Sequence, residues 1–287
     1  MKTPSDWVVV TGASSGIGAA SLDALVQRGF GVFAGVRRDR AAGALLAAYG
    51  RRVVPVRLDV TKEGDVLGLV ERLRRGLRAR RLHGLVNAAG LAFAAPLEWT
   101  QPADLARLLE VNVTGVFRVT RAALPRLRAD RGRVVNVSSG AGQLTAPGTA
   151  AYSASKFALE SLSDGLRMEL SSAGVHVSLI EPGPVATPLW TRLEAQMLRA
   201  ERAASPSSRA AWKEPWAQVR ARLAQARALA APASAVADLV VEALTAERPR
   251  ARYSETPKAE LVAAYAMDDA ERDRQTLLAW GLTPAGS

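Results

Sequence analysis

The stretch Val8-Val9-Val10-Thr11-Gly12-Ala13-Ser14-Ser15-Gly16-Ile17-Gly18 decides the fold class of this chain. A run of valines passes directly into a turn whose glycines are spaced G-x-x-x-G-x-G, and a helical pattern follows. Glycines let the backbone turn sharply and approach a pyrophosphate, while the start of the next helix offers free N–H groups. The stretch therefore predicts a strand–turn–helix unit that holds a dinucleotide. The predicted contacts are Gly12, Ser14, Ser15, Gly16, Ile17 and Gly18.

Short β-branched runs alternate with helical patterns along the rest of the chain. After Trp7–Thr11, the strand candidates are Val32–Val36, Val53–Leu58, Gly84–Asn87, Arg133–Ser138 and Val175–Glu181. These runs are mostly continuously apolar, as expected of strands that are covered on both faces. Apolar residues at helical spacing lie between them, in stripes over 66–77, 105–123 and 158–170, and the last stripe includes Leu159, Met168 and Leu170. The alternation predicts an α/β fold, in which a doubly wound parallel sheet carries helices on both faces.

The length of 287 residues suits a single domain, which we predict over 1–287. Two segments interrupt the alternation. Residues 189–231 hold Trp190, Trp212 and Trp216 and show no strand pattern. Residues 249–287 are charged and mixed, and we predict a C-terminal strand and tail there.

Composition excludes several kinds of site. The chain has no cysteine and two histidines, so we expect no disulfide, no thiolate nucleophile and no metal site. The net charge is +11, from 38 Lys+Arg against 27 Asp+Glu, and we interpret the excess as solvated surface. Aromatic residues are only 5% and none interleaves with the arginine cluster from Arg72 to Arg81, which argues against a nucleic-acid partner. No apolar run is long enough for a membrane span, and a cytoplasmic protein is expected.

The end of the second strand candidate bears on the choice of cofactor. A carboxylate there would bind the ribose 2′-OH of NAD, whereas an arginine accommodates the 2′-phosphate of NADP. This strand ends in Gly35-Val36-Arg37-Arg38, with no acid before Asp39. Arginine suits a phosphate because its planar fork donates charge-assisted hydrogen bonds. We therefore predict that Arg37 and Arg38 favour NADP(H) over NAD(H).

An acid/base pair lies at the start of the third helical stripe. Tyr152 and Lys156 are four positions apart and share a helix face. The ordinary tyrosine pKa of about 10 is too high for acid/base work near neutrality, and a nearby ammonium lowers it. Ser139 follows a strand candidate, at the edge where such sheets bind ligands. We predict that Tyr152 and Lys156 form a general acid/base and that the Ser139 hydroxyl polarises a carbonyl.

Each feature also has a plainer interpretation. The glycine turn can be a tight turn without a ligand, and Arg37 and Arg38 can be solvated arginines of an arginine-rich chain. A tyrosine and a lysine at this spacing occur by chance on helix surfaces. Ser139 can be a cap before the turn at 140–142.

The motifs taken together resemble the short-chain dehydrogenase/reductase family. They occur in the family's order over about residues 5–190. The matching residues are Thr11–Gly18, Asp59, Asn87-Ala88-Ala89-Gly90, Asn112, Ser139, Tyr152, Lys156 and Pro182-Gly183-Pro184-Val185-Ala186-Thr187. The resemblance implies a single Rossmann domain with about seven parallel strands, and an oxidoreductase that uses NAD(P).

The resemblance also implies a role for each matching residue. Tyr152 would donate the proton to the carbonyl in reduction, Lys156 would lower the tyrosine pKa and bind the nicotinamide ribose, and Ser139 would hold the substrate oxygen. Asn112 would help to hold the water that relays protons to Lys156. Asp59 would lie by the adenine, and Gly183, Val185 and Thr187 along the nicotinamide. The further implied cofactor contacts are Val60, Asn87, Ala88, Ala89, Gly90 and Pro182.

One position departs from the family's pattern. The usual Asn-Asn-Ala-Gly has Ala88 in its second place here, so one side-chain amide is lost from the loop. The departure affects a local hydrogen bond, and we do not expect it to remove activity.

The resemblance places the family's substrate-covering helices at 189–231, where we expect a helical insert. Its apolar side suits a lipophilic alcohol or ketone of steroid or retinoid type, with plain packing onto the core as the alternative. The apolar residues are Leu189, Trp190, Leu193, Met197, Trp212, Trp216, Val219 and Leu223. The runner-up function is a 3-ketoacyl reductase-like enzyme, and an NADPH-binding regulator without catalysis is the alternative of another class. The family often pairs the helices that correspond to 103–128 and 152–173, so a homodimer or homotetramer is expected.

Overall fold

Nine strands and the helices between them appear in the computed structural model, which describes residues 4–78, 80–254 and 263–283. The strands are β1 (Asp6–Thr11), β2 (Gly31–Val36), β3 (Val53–Arg57), β4 (Arg81–Asn87), β5 (Arg133–Val137), β6 (His176–Glu181), β7 (Val185–Ala186), β8 (Ala231–Pro232) and β9 (Arg252–Ser254). The helices are α1 (Gly16–Gln27), α2 (Asp39–Tyr49), α3 (Glu63–Leu77), α4 (Pro102–Leu109), α5 (Gly115–Asp130), α6 (Ala150–Leu170), α7 (Leu189–Ala203), α8 (Pro206–Ala211), α9 (Lys213–Ala228), α10 (Ala233–Thr245) and α11 (Asp269–Ala279), with a further helical turn at 263–266. The predicted tail at 249–287 falls partly outside the described residues, at 255–262 and 284–287.

Seven of these strands form one sheet, in which every neighbouring pair is parallel. The order across the sheet is β3-β2-β1-β4-β5-β6-β9. The winding reverses at β1, because β2 and β3 lie on one side of it and the later strands lie on the other. This order confirms the predicted α/β fold with a doubly wound parallel sheet of Rossmann type. Ligands of such sheets bind at the carboxyl ends of the strands beside the reversal.

Strand β1 lies at the centre because its side chains are covered on both faces. Val8, Val9 and Val10 are completely buried, as a parallel strand between two helical layers requires. Val8 and Val10 pack with residues of α1, α2 and α10, whereas Val9 packs with residues of α3, α5 and the end of α6. The continuous run of valines is therefore explained by two apolar layers rather than one.

The predicted inward side of α3 is confirmed. Val66, Leu69, Leu73 and Leu77 are buried in the apolar cluster that covers one face of the sheet. The next stripe, over 105–123, runs through α4, a π-helical turn and α5 without leaving the helical path.

The stripe predicted over 158–170 is wrong in part. Leu159 and Leu170 are buried, but Met168 is 65% exposed. Met168 follows Leu159 by nine positions, and at about 3.6 residues per turn this spacing puts it on the opposite side of α6. The prediction placed Met168 on the buried face of α6 because the residue is apolar, but its position around the helix puts it on the exposed face.

The segment 189–231 contains α7, α8 and α9, which cover a third apolar cluster. Trp99, Leu193, Met197 and Trp216 are buried in it. Although no strand was expected here, β8 pairs in parallel with β7 at the end of the segment. Because β8 has only two residues and one of them is a proline, the sequence shows no strand pattern there. Within the described part of the chain, no helix is both long and apolar enough to cross a bilayer.

Replacing Leu69 by alanine tests the orientation of α3. Leu69 is 1% exposed, so its truncation leaves a cavity, and we expect the free energy of unfolding to fall by about 2–5 kcal/mol. Leu67 on the same helix is 62% exposed, so Leu67→Ala is the matched control and should cost less than about 0.5 kcal/mol. Urea unfolding measures both. Equal losses in the two variants would contradict the orientation.

Candidate active site

A cleft of about 1080 Å³ opens at the carboxyl ends of the central strands. Most of the residues predicted for the site line it, although they come from segments that are far apart in sequence. These residues are Gly12, Ser14, Ser15, Gly16, Ile17, Arg37, Asp59, Val60, Ala88, Ala89, Gly90, Ser139, Tyr152, Lys156, Pro182, Gly183, Val185 and Thr187. The structure thus brings the glycine turn and the Tyr152/Lys156 pair into one space.

Four predicted residues do not line the cleft. Gly18 lies beneath the turn, where an added Cβ would approach the Gly12 carbonyl oxygen to 2.4 Å. Arg38 is exposed and precedes α2. Asn87 is buried, and its Nδ2 donates to Thr120 Oγ1 at 3.0 Å and to Asn136 Oδ1 at 2.8 Å. Asn112 is also buried.

The glycine turn needs glycine at Gly12, which has φ = +66° and lies against the backbone of Ala89. This region of φ strains any other residue. The turn is tied to the loop after β4, because Thr11 Oγ1 accepts hydrogen bonds from Ala88 N at 3.1 Å and Ala89 N at 3.0 Å. The start of α1 therefore faces the cleft from a fixed turn, and its N–H groups can serve an anion.

A positive and a negative group meet where β2 and β3 end. Arg37 and Asp59 both line the cleft. Burial alone would raise the pKa of Asp59, but hydrogen bonds from Thr61 and the charges of Arg37 and Lys62 lower it. Thr61 donates to Asp59 Oδ1 through its hydroxyl at 2.7 Å and its N–H at 3.1 Å. Asp59 thus stays ionised and turned toward its own loop.

Tyr152 and Ser139 interact directly in the cleft. Burial raises the pKa of Tyr152, and a hydrogen bond with the Ser139 side chain opposes this effect. Ser139 Oγ also accepts from Ala141 N at 3.2 Å, which fixes its orientation at the end of β5. The predicted lowering of the tyrosine pKa differs from this net upward direction, because desolvation outweighs the hydrogen bond.

Lys156 is 5% exposed, an unusual environment for an ammonium group. Its Nζ donates to the Val137 carbonyl oxygen at 2.9 Å and lies 5.9 Å from the centre of the Tyr152 ring. Burial lowers the pKa of Lys156 to about 8, and the charge of Glu160 opposes that shift. Lys156 therefore gains or loses its proton within the pH range in which enzymes commonly work.

Asn112 is placed by the π-helical turn Glu110–Thr114. Its Oδ1 accepts from Leu91 N at 2.8 Å, and its Nδ2 donates to Leu91 O at 2.9 Å and Ser155 Oγ at 3.0 Å. The side chain thereby joins the loop after β4 to α6, next to Tyr152 and Lys156.

The predicted apolar side of 189–231 divides into two groups. Leu189, Trp190, Leu193 and Leu223 line the cleft. The other four do not line the cleft and pack the third apolar cluster, as the plainer interpretation expected: Met197, Trp212, Trp216 and Val219. Trp190, Leu193 and Leu223 take part in both the cleft lining and this cluster.

The cleft has further apolar lining that the sequence analysis missed. Phe93 and Leu144 each follow a recognised motif by a few residues, and this position was the only available signal. Trp280 reaches the cleft from the end of α11, and no pattern in the sequence indicated it.

Known proteins are similar to this chain in sequence and in fold. The profile of the short chain dehydrogenase family matches residues 6–198. The NADPH-dependent 3-dehydrocapnine reductase of Ornithobacterium rhinotracheale is 34% identical over 257 residues, which are 88% of this chain and 88% of that protein. Retinol dehydrogenase 7 of Mus musculus is 34% identical over 252 residues, covering 86% of this chain and 79% of that protein. A short chain dehydrogenase from Burkholderia cenocepacia J2315, crystallised in complex with NADP, superposes with a TM-score of 0.71 at 29% identity, over 99% of this chain and 100% of that chain.

The shifted pKa of Lys156 is directly measurable, because the chain has only five lysines. In protein labelled with ¹⁵N and ¹³C on lysine side chains, we expect one signal to titrate near pH 8, since burial lowers the pKa of Lys156 to about 8. That signal should disappear in Lys156→Met. If no signal titrating near pH 8 is lost in the variant, the burial of the ammonium is contradicted.

Proposed function

This chain belongs to the short-chain dehydrogenase family and is an oxidoreductase, and we propose that it transfers hydride between NADP(H) and a lipophilic secondary alcohol or ketone. The observation that carries the proposal is the meeting of Ser139, Tyr152 and Lys156 in the cleft that the glycine turn also lines. A phenol, a hydroxyl and a buried ammonium are the groups that polarise a carbonyl and exchange a proton with it.

The residues of the cleft fit a dinucleotide cofactor. Gly12 and Gly16 both have positive φ and no side chain, so a pyrophosphate can approach the backbone N–H groups at the start of α1. Asp59 and Val60 would contact the adenine end, and Gly183, Val185 and Thr187 the nicotinamide end. When bound, the nicotinamide supplies or accepts the hydride.

The protein's own groups would handle the proton and the substrate oxygen. The Tyr152 hydroxyl would donate its proton to the carbonyl oxygen during reduction, while Ser139 donates a second hydrogen bond to that oxygen. A raised tyrosine pKa keeps the phenol protonated, which suits a donor. Lys156 would bind the ribose hydroxyls, and Asn112, whose Oδ1 retains one acceptor lone pair, would order a water beside it.

The proposed preference for NADP(H) rests on Arg37. Arg37 lines the cleft where β2 ends, and Asp59, a carboxylate that also lines the cleft, accepts a hydrogen bond from Thr61. Arg38 stays a candidate second contact, although it does not line the cleft. The relative that is named NADPH-dependent and the neighbour crystallised with NADP support the same choice.

Tyr152→Phe tests the proposed acid. We expect kcat to fall by about 10²–10⁴-fold, because general acid catalysis contributes that much. NADPH binding, followed by fluorescence titration, should be retained. Tyr49→Phe is the control, since Tyr49 contacts Asp23 on the outer side of α1 and does not line the cleft. Turnover by Tyr152→Phe close to that of the control would contradict the assignment.

Arg37→Ala tests the choice of cofactor. Loss of charge-assisted hydrogen bonds should weaken NADPH binding by about 10- to 100-fold and leave NADH binding nearly unchanged. Arg40→Ala is the control, because Arg40 is an exposed arginine nearby that does not line the cleft. Equal weakening of both cofactors, or equal effects of the two variants, would argue against a 2′-phosphate contact.

The lipophilic character of the proposed substrate rests on the apolar lining of the cleft. Phe93, Leu144, Trp190, Leu193 and Trp280 contribute to it from four parts of the chain. The relatives named retinol dehydrogenase support the same class. A panel of retinoid, steroid, long-chain and short polar carbonyls, followed by NADPH oxidation at 340 nm, separates this class from a 3-ketoacyl reductase.

Self-association is the remaining part of the proposal. Phe117 on α5 and Leu162 and Met168 on α6 are large apolar side chains that are exposed in the single chain. They lie on the helices expected to pair in a homodimer or homotetramer, and burial there would remove them from water. The single domain over 1–287 and the cytoplasmic location stay predictions.

A further inference from the structure

A group of buried charges lies behind Lys156 and outside the cleft. We call it the Glu160 cluster, and it comprises Glu160 and Asp164 of α6, Glu181 of β6, Arg252 of β9 and Gln143. Glu160 is 7% exposed and Glu181 is fully buried. None of the proposed catalytic steps uses these groups, and charges this deeply buried are rare unless they are paired.

Arg252 holds the cluster together. Its Nη2 lies 3.1 Å from Glu160 Oε2 and donates to Asp164 Oδ2 at 2.7 Å, while its Nε lies 3.0 Å from Glu181 Oε1. Gln143 Nε2 donates to the other Glu181 oxygen, Oε2, at 2.7 Å. One guanidinium thus contacts three carboxyl groups. Asp164 forms a second ion pair, in which Arg167 Nη2 lies 2.8 Å from Asp164 Oδ1.

The two buried carboxyl groups, those of Glu160 and Glu181, interact with each other. The side chains of Gln143 and Ser254 donate hydrogen bonds to Glu181, whereas Glu160 Oε1 has no hydrogen-bond partner among the described residues. Burial first, and then Glu160, raises the pKa of Glu181 to about 7, while Arg252 and Ser254 oppose that shift.

The Glu160 side chain packs beside the base of the Lys156 side chain. The two residues are one helical turn apart on α6 and pack on the same side of Gly142: a Cβ added there would lie 3.1 Å from Glu160 Cγ and 3.2 Å from Lys156 Cβ. The other charged groups around Glu160 are Glu181 and Arg252 from the sheet and Asp164 and Arg167 from α6 itself. The π-helical turn also packs on α6, but there Asn112 meets Ser155.

We propose that Glu160 is a positioning residue for Lys156: its carboxylate, which Arg252 binds, keeps the buried Lys156 side chain in its ammonium form. The inference rests on the proposed role of Lys156 in binding and catalysis. It assigns a role to β9, because Arg252 of this strand binds Glu160.

Glu160→Gln removes the charge while keeping the shape of the side chain. The carboxylate favours the ammonium, so without it Lys156 loses its proton at lower pH. We expect the Lys156 signal to titrate about one pH unit lower than in the wild type. The alkaline limb of kcat/KM for NADPH-dependent reduction should move in the same direction by the same amount.

Two further variants keep the test decisive. Asp164→Asn removes another Arg252 partner one turn further along α6 and should leave the Lys156 signal where it is. Glu160→Asp retains the charge but withdraws it by one methylene, so it should shift the signal in the same direction by a smaller amount. If Glu160→Gln fails to fold, as urea unfolding would reveal, Glu160→Asp supplies the measurement.

The outcomes separate this inference from the proposed function. An unshifted signal in both Glu160 variants, or equal shifts in Glu160→Gln and Asp164→Asn, would overturn the role of Glu160. A shifted signal in an enzyme that oxidises NADPH with no carbonyl of the panel would support the coupling of Glu160 to Lys156 and contradict the proposed function.

Discussion

The parallel pairing of β1 with both β2 and β4 is the constraint on which the site depends. It brings Thr11 and Asn87 level with each other at one edge of the sheet. The Thr11 hydroxyl can then accept both N–H groups of the next loop, from Ala88 and Ala89. Leaving a partly buried donor without a partner costs about 1–3 kcal/mol, so these two bonds hold the glycine turn and the loop together. Hydrogen bonds to these backbone N–H groups therefore fix the shape of this part of the cleft independently of the reactive side chains.

Desolvation shifts the pKa values of Tyr152 and Lys156 in another part of the cleft. Burial disfavours the charged form of every group, so it raises the pKa of Tyr152 and lowers that of Lys156. In the proposed function, the first shift suits the proton donor Tyr152, whereas the second works against the ammonium form of Lys156. Glu160 carries the charge that opposes this lowering of the Lys156 pKa. Because a buried carboxylate needs a partner in turn, the chain of interactions extends to Arg252 on the edge strand β9.

Features that depend on neighbours in sequence were predictable, and features that depend on distant segments were not. Three features depend only on residues that are close in sequence. They are the valines of β1, the glycine turn and the spacing of Tyr152 and Lys156. The position of Trp280 and the contact between Glu160 and Arg252 depend on how the chain returns to the sheet. The direction of the Tyr152 pKa also escaped prediction, since desolvation is a property of all the surroundings and a lysine four positions away is only one of them.

The alanine at position 88 shows which parts of a loop motif are constrained by packing. Ala88 is partly exposed, and its path is fixed by its own N–H bond to Thr11 and by the neighbouring Asn87. A side chain at this partly exposed position can be reached by water, so we expect the loss of an amide here to cost little. Asn87 is different, because it is 2% exposed and its Nδ2 joins Thr120 and Asn136. Removing that amide would leave both partners unsatisfied in the core, which is why the loop depends on position 87 and tolerates alanine at 88.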